Sequence, residues 1–464
     1  MNPESAGKKL HFIGIGGAGM SGIAQVSHSL GYQVSGSDLK RSRFTRMLGA
    51  SGIPVFFGHD PAHLGDADAV IVSTAIPSGN VELKAALERK IPVYHRAQML
   101  AELMGMKRGV AIAGTHGKTT TTSMVAHAME QLSLEPSYIV GGELNDVGSN
   151  ARAGSGSWLV AEADESDGSL LHLRPEIAAI TNVELDHHSH YTSMDQLMQV
   201  FEAFAAALPE TGALVIWDTP LLRELASATK AAVITYSLNE DADYHAGNIV
   251  VTREGTSFDL TCGSETGSRR VELAVRGEHN VLNALAALTV LDRVGQKPAE
   301  AAPTLSKFSG AARRFQIKGE AGGVTIVDDY AHHPTEVKAT LEAARAAGWQ
   351  RVIGAFQPHL FSRTRYLHDE LGQVLNLCDL AIVTDVFGAR EEPEPGISGK
   401  LIVDSALKWE PGANVAYIPR PRDIVPLLLG EIKPGDLVVT LGAGDIFKVG
   451  DDLLAALRRQ ENLV

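Results

Sequence analysis

Only two cysteines, Cys262 and Cys378, occur in the 464 residues, far apart and without partner spacing. That excludes a disulfide framework and a thiolate metal site, and it fits a reducing cytosol. Basic residues are also short, with 41 Lys and Arg against 55 Asp and Glu and a formal net charge of −14. Nucleic-acid affinity rests on clustered Lys and Arg, so a nucleic-acid partner is not expected and anionic ligands must be held locally. No apolar run reaches the roughly 18 residues that span a bilayer, and MNPESAGKKL lacks the apolar core of a signal peptide. A soluble cytoplasmic protein without a membrane partner is expected. Internal repeats and low-complexity segments are missing as well.

What is present is a repeated alternation of apolar runs and amphipathic stretches. The length exceeds the roughly 250 to 300 residues at which one core stops growing, so two or three domains are expected. HFIGIG, YQVSGSD, DAVIVSTAI and IPVYH predict a parallel α/β unit over residues 1–106. A second alternation over residues 107–312 runs through SWLVAEAD, IAAITNVELD, ALVIWD and AAVITYS. Within it, the period-two segments NIVVT, SFDLTC and RVELAV predict a small appended antiparallel sheet. A third alternation, residues 313–464, passes through GVTIVDDY, RVIGAFQP, DLAIVTDV, VAYIP and DLVVTLGAG. The expected fold is α/β in three domains: an N-terminal Rossmann-like parallel sheet, a central nucleotide-binding domain, and a C-terminal Rossmann-like domain.

The most informative stretch is GVAIAGTHGKTTT, an apolar strand running into GTHGKTT and then into a helix beginning at about Thr119. Backbone N–H groups of such a turn and the helix N-terminus form an anion site, and Lys118 adds positive charge. A nucleoside triphosphate is the expected ligand, and the Thr119 hydroxyl is the natural first protein ligand for Mg²⁺. The loop is shorter than the common phosphate loop, because Ile112 stands where the first glycine belongs.

Gly14, Gly16 and Gly19 follow the strand HFI, and Asp38 closes the next strand about 20 residues on, a dinucleotide-binding pattern. NAD is one reading; tight helix-strand packing by the glycines is the bland one. In the centre, VAEADESDGS crowds Glu162, Asp164, Glu165 and Asp167 at a strand end, a density of acid that cations or solvent must compensate. Mg²⁺ beside a triphosphate is the economical explanation, and a solvated acidic loop accounts for some of the four. His187, His188 and His190 invite zinc, but no cysteine or spaced carboxylate completes a tetrahedral set, so surface imidazoles are preferred. Asn280 and Asn283 share a face at a helix start, where Asn280 is either an N-cap or, with Asn283, a reader of adenine. VDDYAHHPTE, RRFQ and QPHLFSRTR cluster Asp, His and Arg at strand ends of the third unit, where open α/β sheets gather ligands.

In order, GIGGAGMSG, GTHGKTTTT, ADESD, NVELDHH, HNVLNA, RRFQ, DDYAHHPTE and QPHLFSRTR resemble the Mur ligase family, which joins amino acids to cell-wall precursors using ATP. The set is most similar to the branch that adds L-alanine to UDP-N-acetylmuramate. The resemblance implies that Gly16, Gly17, Ala18, Gly19, Met20 and Ser21 contact the UDP diphosphate, with Asp38, Ser73 and Thr74 nearby. It implies that Gly114, Thr115, His116, Gly117, Lys118, Thr119, Thr120, Asn280, Asn283 and Asp329 hold ATP. Tyr330, His332 and Arg314 would meet the amino acid, and Lys118, His332, Arg314 and Arg363 would be catalytic. Thr119, Glu162 and His187 would hold Mg²⁺, two ions in all, for which Mn²⁺ can substitute. Some relatives hold the second ion with a carbamoylated lysine, but no lysine lies between His187 and Thr229. Leu360 occupies a position that is arginine in some relatives. The implied partners are UDP-N-acetylmuramate, L-alanine and ATP, with the chain a monomer or weak homodimer. Three alternatives stay open: a ligase of the same family that recycles a murein tripeptide, an NAD-dependent oxidoreductase, and a nucleotide-sensing module without catalysis.

Overall fold

The computed structural model describes residues 7–166, 168–186, 191–263, 267–389 and 391–461. Three sheets organise them. The first is wholly parallel, in spatial order Val55–Phe57, Gln33–Asp38, Lys9–Ile13, Ala69–Val72 and Val93–His95. Its central strand buries Leu10, Phe12 and Ile13, as continuous apolar runs do when helices cover both faces of a sheet.

The central sheet has ten strands. Its parallel core places Arg108–Ala113 between Ile177–Ile180 and Trp158–Glu162, and Ala213–Trp217 and Ala232–Ser237 follow Ile177–Ile180 outward. One outer flank is the antiparallel set Tyr244–Val251, Thr256–Cys262 and Arg269–Leu273 expected from the period-two segments. It is not a separate sheet, however: Tyr236 and Ser237 pair in parallel with Tyr244 and His245, so the hydrogen-bond ladder runs on without a break. The other flank is a hairpin of Ser137–Leu144 and Ser149–Arg152, which local periodicity does not reveal. Helices Lys118–Gln131 and Glu278–Val294 are buried along most of their length against one face. Phe201 and Phe204 of helix Met194–Ala206 fill the other.

The third sheet is parallel in the order Val324–Asp329, Asp436–Leu441, Arg351–Phe356, Leu380–Val383 and Val415–Tyr417, with Gln316–Ala321 antiparallel on the edge. The first and central domains share a core. Helix Ala18–Ser29 lies on the central hairpin at Gly22, where a Cβ would stand 3.1 Å from Ala151 Cβ. Asn150 Nδ2 donates to the Ala18 carbonyl at 2.6 Å, and Arg96 bonds Asp164 at 2.8 Å. The glycine loop of the first domain is thereby held beside the acid segment of the second.

Candidate active site

The phosphate loop is shaped by its neighbours as much as by its own glycines. Gly114 has φ +126°, and a Cβ there would come within 2.2 Å of Thr181 Oγ1, so the loop sits against the end of strand Ile177–Ile180. Asn182 then pins it: the His116 N–H donates to Asn182 Oδ1 at 2.8 Å, and Asn182 Nδ2 donates to the His116 carbonyl at 3.0 Å. The helix starts at Lys118, one residue before the expected point, with Gly117 as a left-handed N-cap that supplies no side-chain acceptor. Its first N–H groups are therefore available to an anion.

Lys118 Nζ donates to the carbonyls of Gly114 and Thr115 and pairs with Glu165 at 2.8 Å. Burial opposes its charge, but Glu165, Asp164 and Glu162 together raise its pKa above the ordinary lysine value. Burial likewise opposes the Asp164 carboxylate, yet Lys118 and Arg96 hold it down at about 2. A fixed cation thus faces the loop. Thr119 Oγ1 lies 3.0 and 3.1 Å from the Glu162 carboxylate oxygens, and Glu162 also accepts from Gly141 N–H at 2.8 Å. These are hard oxygen donors side by side at the mouth of an anion site, which fits Mg²⁺. His187, the other expected metal ligand, lies outside the described residues, as do His188, His190 and Asp167.

Between the central and third domains is a cavity of about 450 Å³. His116, Gly117, Thr120, Asn280, Asn283, Arg314 and Asp329 all line it, although they come from four separate stretches of sequence. Asn280 does not cap its helix: Gly277 is the N-cap, and Asn280 Oδ1 accepts from Asn283 Nδ2 at 3.1 Å. The two amides therefore form one polar unit. Asp329 accepts from the N–H groups of Phe315 and Ala331, and burial pushes its carboxyl up to about 6.

Arg314 lies over the Tyr330 ring at 5.3 Å and 3.6 Å from Glu336. His332 Nδ1 is 2.9 Å from the Tyr330 carbonyl, which can only accept, so Nδ1 carries the proton and Nε2 presents a lone pair. Burial, aided by Arg363, depresses the His332 pKa to about 3 and keeps the ring neutral. Arg363 itself is engaged by Asp186 of the central domain. Leu360, the departure noted in the sequence, takes a left-handed φ of 71° as the residue before helix Phe361–Leu375.

In the first domain the Gly16 N–H donates to Asp38 Oδ2 at 2.9 Å, and Gly17 caps helix Ala18–Ser29 without a side-chain acceptor. Gly19 adjoins Arg96, while Met20 and Ser21 are buried beneath the loop. Ser73 and Thr74 lie in the turn after strand Ala69–Val72, and Ile76 of the same turn faces Gly14. The sequence patterns assign no role to Asn182, Glu184, Asp186 and Glu336. Their signal is position just after an apolar strand or inside YAHHPTE.

Comparison with known proteins adds an independent finding. Residues 9–108 match the model described as the Mur ligase family catalytic domain, residues 112–291 the Mur ligase middle domain, and residues 313–444 the Mur ligase glutamate ligase domain. The chain is 48% identical over 453 residues to a UDP-N-acetylmuramate–L-alanine ligase of Rubrobacter xylanophilus, covering 97% of this chain and 100% of the relative. Its identity to the enzyme of that name from Streptomyces coelicolor is 47%, with 97% of each covered. Among solved structures it is similar to a UDP-N-acetylmuramate-alanine ligase from Thermotoga maritima, with TM-score 0.82, 28% identity and 98% and 99% coverage. It is also similar to a murein peptide ligase from Psychrobacter arcticus, with TM-score 0.72, 25% identity and 97% and 99% coverage.

Proposed function

The chain belongs to the Mur ligase family and is an ATP-dependent amide-forming ligase, and we propose that it joins L-alanine to the lactoyl carboxylate of UDP-N-acetylmuramate, giving UDP-N-acetylmuramoyl-L-alanine, ADP and phosphate. Neither the tripeptide-recycling nor the oxidoreductase alternative is favoured by relatives of this identity. One observation carries the reading: His116, Gly117, Thr120, Asn280, Asn283 and Asp329, six of the residues expected to hold ATP, line one cavity beside the helix that Lys118 begins without a side-chain cap.

We assign residues 1–106 to the UDP substrate, 107–312 to ATP and 313–464 to the amino acid. The diphosphate rests on the N-terminus of helix Ala18–Ser29 among Gly16 to Ser21, with Asp38, Ser73 and Thr74 around it. The triphosphate lies on Gly114 to Thr120, the base meets the Asn280–Asn283 amide pair, and Asp329 approaches the ribose. Lys118 leaves Glu165 and the loop carbonyls for the γ-phosphoryl oxygens, and its charge offsets what develops there as the lactoyl carboxylate attacks phosphorus and ADP departs. Thr119 and Glu162, with His187, would hold Mg²⁺, which supplies Lewis-acid neutralisation of the phosphates.

A carboxylate cannot lose oxide to an amine, and the acyl phosphate replaces that leaving group with phosphate. Arg314 holds the alanine carboxylate, with Tyr330 beside it. The lone pair of His332 Nε2 accepts a hydrogen bond from the alanine amine and orients it towards the acyl carbon. Closure of the three domains keeps water from the acyl phosphate. Arg363, whose fork is occupied by Asp186, docks the third domain.

The test is ADP release with UDP-N-acetylmuramate and ATP while amino acids and a murein tripeptide are scanned as acceptors. Release is expected with L-alanine, and at a lower rate with serine and glycine. Release with the tripeptide alone, or with no acceptor dependence, would refute the assignment.

A further inference from the structure

A second set of donors, chemically unlike Thr119 and Glu162, sits at the seam between the central and third domains. His116 of the phosphate loop, Glu184 beyond strand Ile177–Ile180, and His333 at the N-cap of helix Pro334–Ala346 each bring one ligand atom within 4.8 Å of the others. His116 Nε2 is 2.6 Å from Glu184 Oε2, and His333 Nδ1 is 3.6 Å from the same oxygen. In a tetrahedral zinc site with bonds of about 2.0–2.1 Å, ligand atoms stand roughly 3.3 Å apart. The two distances to Glu184 Oε2 bracket that spacing, and the Glu184 side chain is 40% exposed and free to turn.

Two further features favour a metal over a chance gathering of side chains. Imidazole, imidazole and carboxylate form a borderline donor set, which selects Zn²⁺, Co²⁺ or Ni²⁺ and not Mg²⁺. The far nitrogen of the His116 ring, Nδ1, is 3.3 Å from Glu336 Oε1, the carboxylate-to-histidine support that orients metal-bound imidazoles and fixes their tautomer. Against this stand the proton on His116, which Glu184 and Glu336 hold so that its pKa rises to about 9, and the Thr335 N–H to His333 Nδ1 bond of 3.4 Å, both of which an ion must displace.

We propose that His116, Glu184 and His333 form an interdomain site for a borderline divalent transition metal, whose binding fastens the third domain to the phosphate loop and arrests turnover. Two ligands belong to the central domain and one to the third, so a bound ion bridges the seam that substrates must open and close. The proton held between His116 and Glu184 passes to solvent as the ion enters. His116 and Glu184 also line the nucleotide cavity, so an ion there narrows its mouth. The effect on turnover rests on the ligase reading; the binding itself does not.

The experiment titrates Co²⁺ into the full-length protein with Mg²⁺ in large excess and without substrates. The expected result is a visible absorption band of four-coordinate intensity at one ion per chain, erased by Zn²⁺. In His333→Ala and, separately, in Glu184→Gln, Co²⁺ affinity should fall at least tenfold, with circular dichroism confirming that each variant folds. ADP release by the parent should be inhibited by Zn²⁺ at concentrations that leave the fractional activity of His333→Ala unchanged. Equal Co²⁺ affinity and an unaltered spectrum in both variants would overturn the site. So would a weak six-coordinate spectrum in the parent. Co²⁺ binding as expected together with no ADP release under any condition would instead sink the ligase reading and leave the metal site standing.

Discussion

Arg363 of the third domain and Asp186 of the central domain form a buried ion pair across the domain seam. Arg363 Nη2 donates to both carboxylate oxygens at 2.8 and 2.9 Å, Nε donates to one at 3.1 Å, and the side chains are 4% and 5% exposed. Such a pair does little for net stability compared with apolar packing, but removing one partner strands a charge away from water. Asp186→Ala should cost about 3–5 kcal/mol of docking stability. Chemical unfolding followed alongside kcat will show it, and Asp186→Ala combined with Arg363→Ala should be no worse than either alone. Full additivity would mean that the pair is not a unit.

Lys118→Ala should lower the rate of ADP release by roughly 10²-fold or more, judged by the loss of comparable preorganised donors. Near-normal turnover with saturating substrates would remove Lys118 from the reaction.

Glycine at position 117 is required twice over. Its φ is +81°, and a Cβ there would stand 2.5 Å from Asn283 Oδ1. Gly117→Ala should therefore cost about 1–2 kcal/mol in backbone strain and also push the amide pair out of place, weakening ATP binding in calorimetry. Gly295→Ala, at φ +101° with nothing within 4 Å, is the control: it carries the strain and leaves ATP binding intact.

Glu82 in the first domain has no exposed side-chain surface, and it accepts from Ser37, His63 and the Asp60 N–H while His11 Nε2 lies 3.8 Å away. Burial opposes the carboxylate, but these contacts outweigh it and hold the pKa at about 2, against 4.5 ordinarily. A depressed folded-state pKa gives stability that is complete above the unfolded value and drains away as pH falls towards the folded one. Unfolding midpoints should thus drop between about pH 4.5 and 2, and Glu82→Gln should flatten that stretch of the profile. An unchanged profile in the variant would refute the account.

Glu162 joins Thr119 and the edge of strand Ser137–Leu144. Glu162→Gln keeps the shape and removes the charge, so the Mg²⁺ concentration for half-maximal ADP release should rise by at least tenfold. A chelator should abolish release in the parent, with recovery on adding Mg²⁺ or Mn²⁺.

Much of this molecule could be read along the chain because its signals are local. GTHGKTT encodes a backbone turn, and the turn found at Gly114 to Lys118 has the left-handed glycines that such a loop needs. Period-two runs predicted the antiparallel strands, but not that they continue the central sheet, since pairing of Tyr236 with Tyr244 depends on where the intervening chain returns. The hairpin Ser137–Arg152 is not legible along the chain because its middle is polar and glycine-rich, and its packing surface is helix Ala18–Ser29, far away in sequence. Of the two readings open for Asn280, the helix start at Glu278 with Gly277 as N-cap removes the cap, a choice that one residue of helix boundary decides.

The amino-acid order by itself determined three α/β units, a short glycine loop ending in Lys118, a second glycine loop after the first strand, and the family to which they belong. The tertiary structure alone decided that Arg363 meets Asp186, that His116 stands between Glu184 and Glu336, and that Glu82 gathers its histidines. The reason is range. Turn chemistry and helix starts depend on neighbours a few bonds away, whereas an ion pair, a shared proton or a metal seat depends on distances that exist only after separate strands and domains have packed.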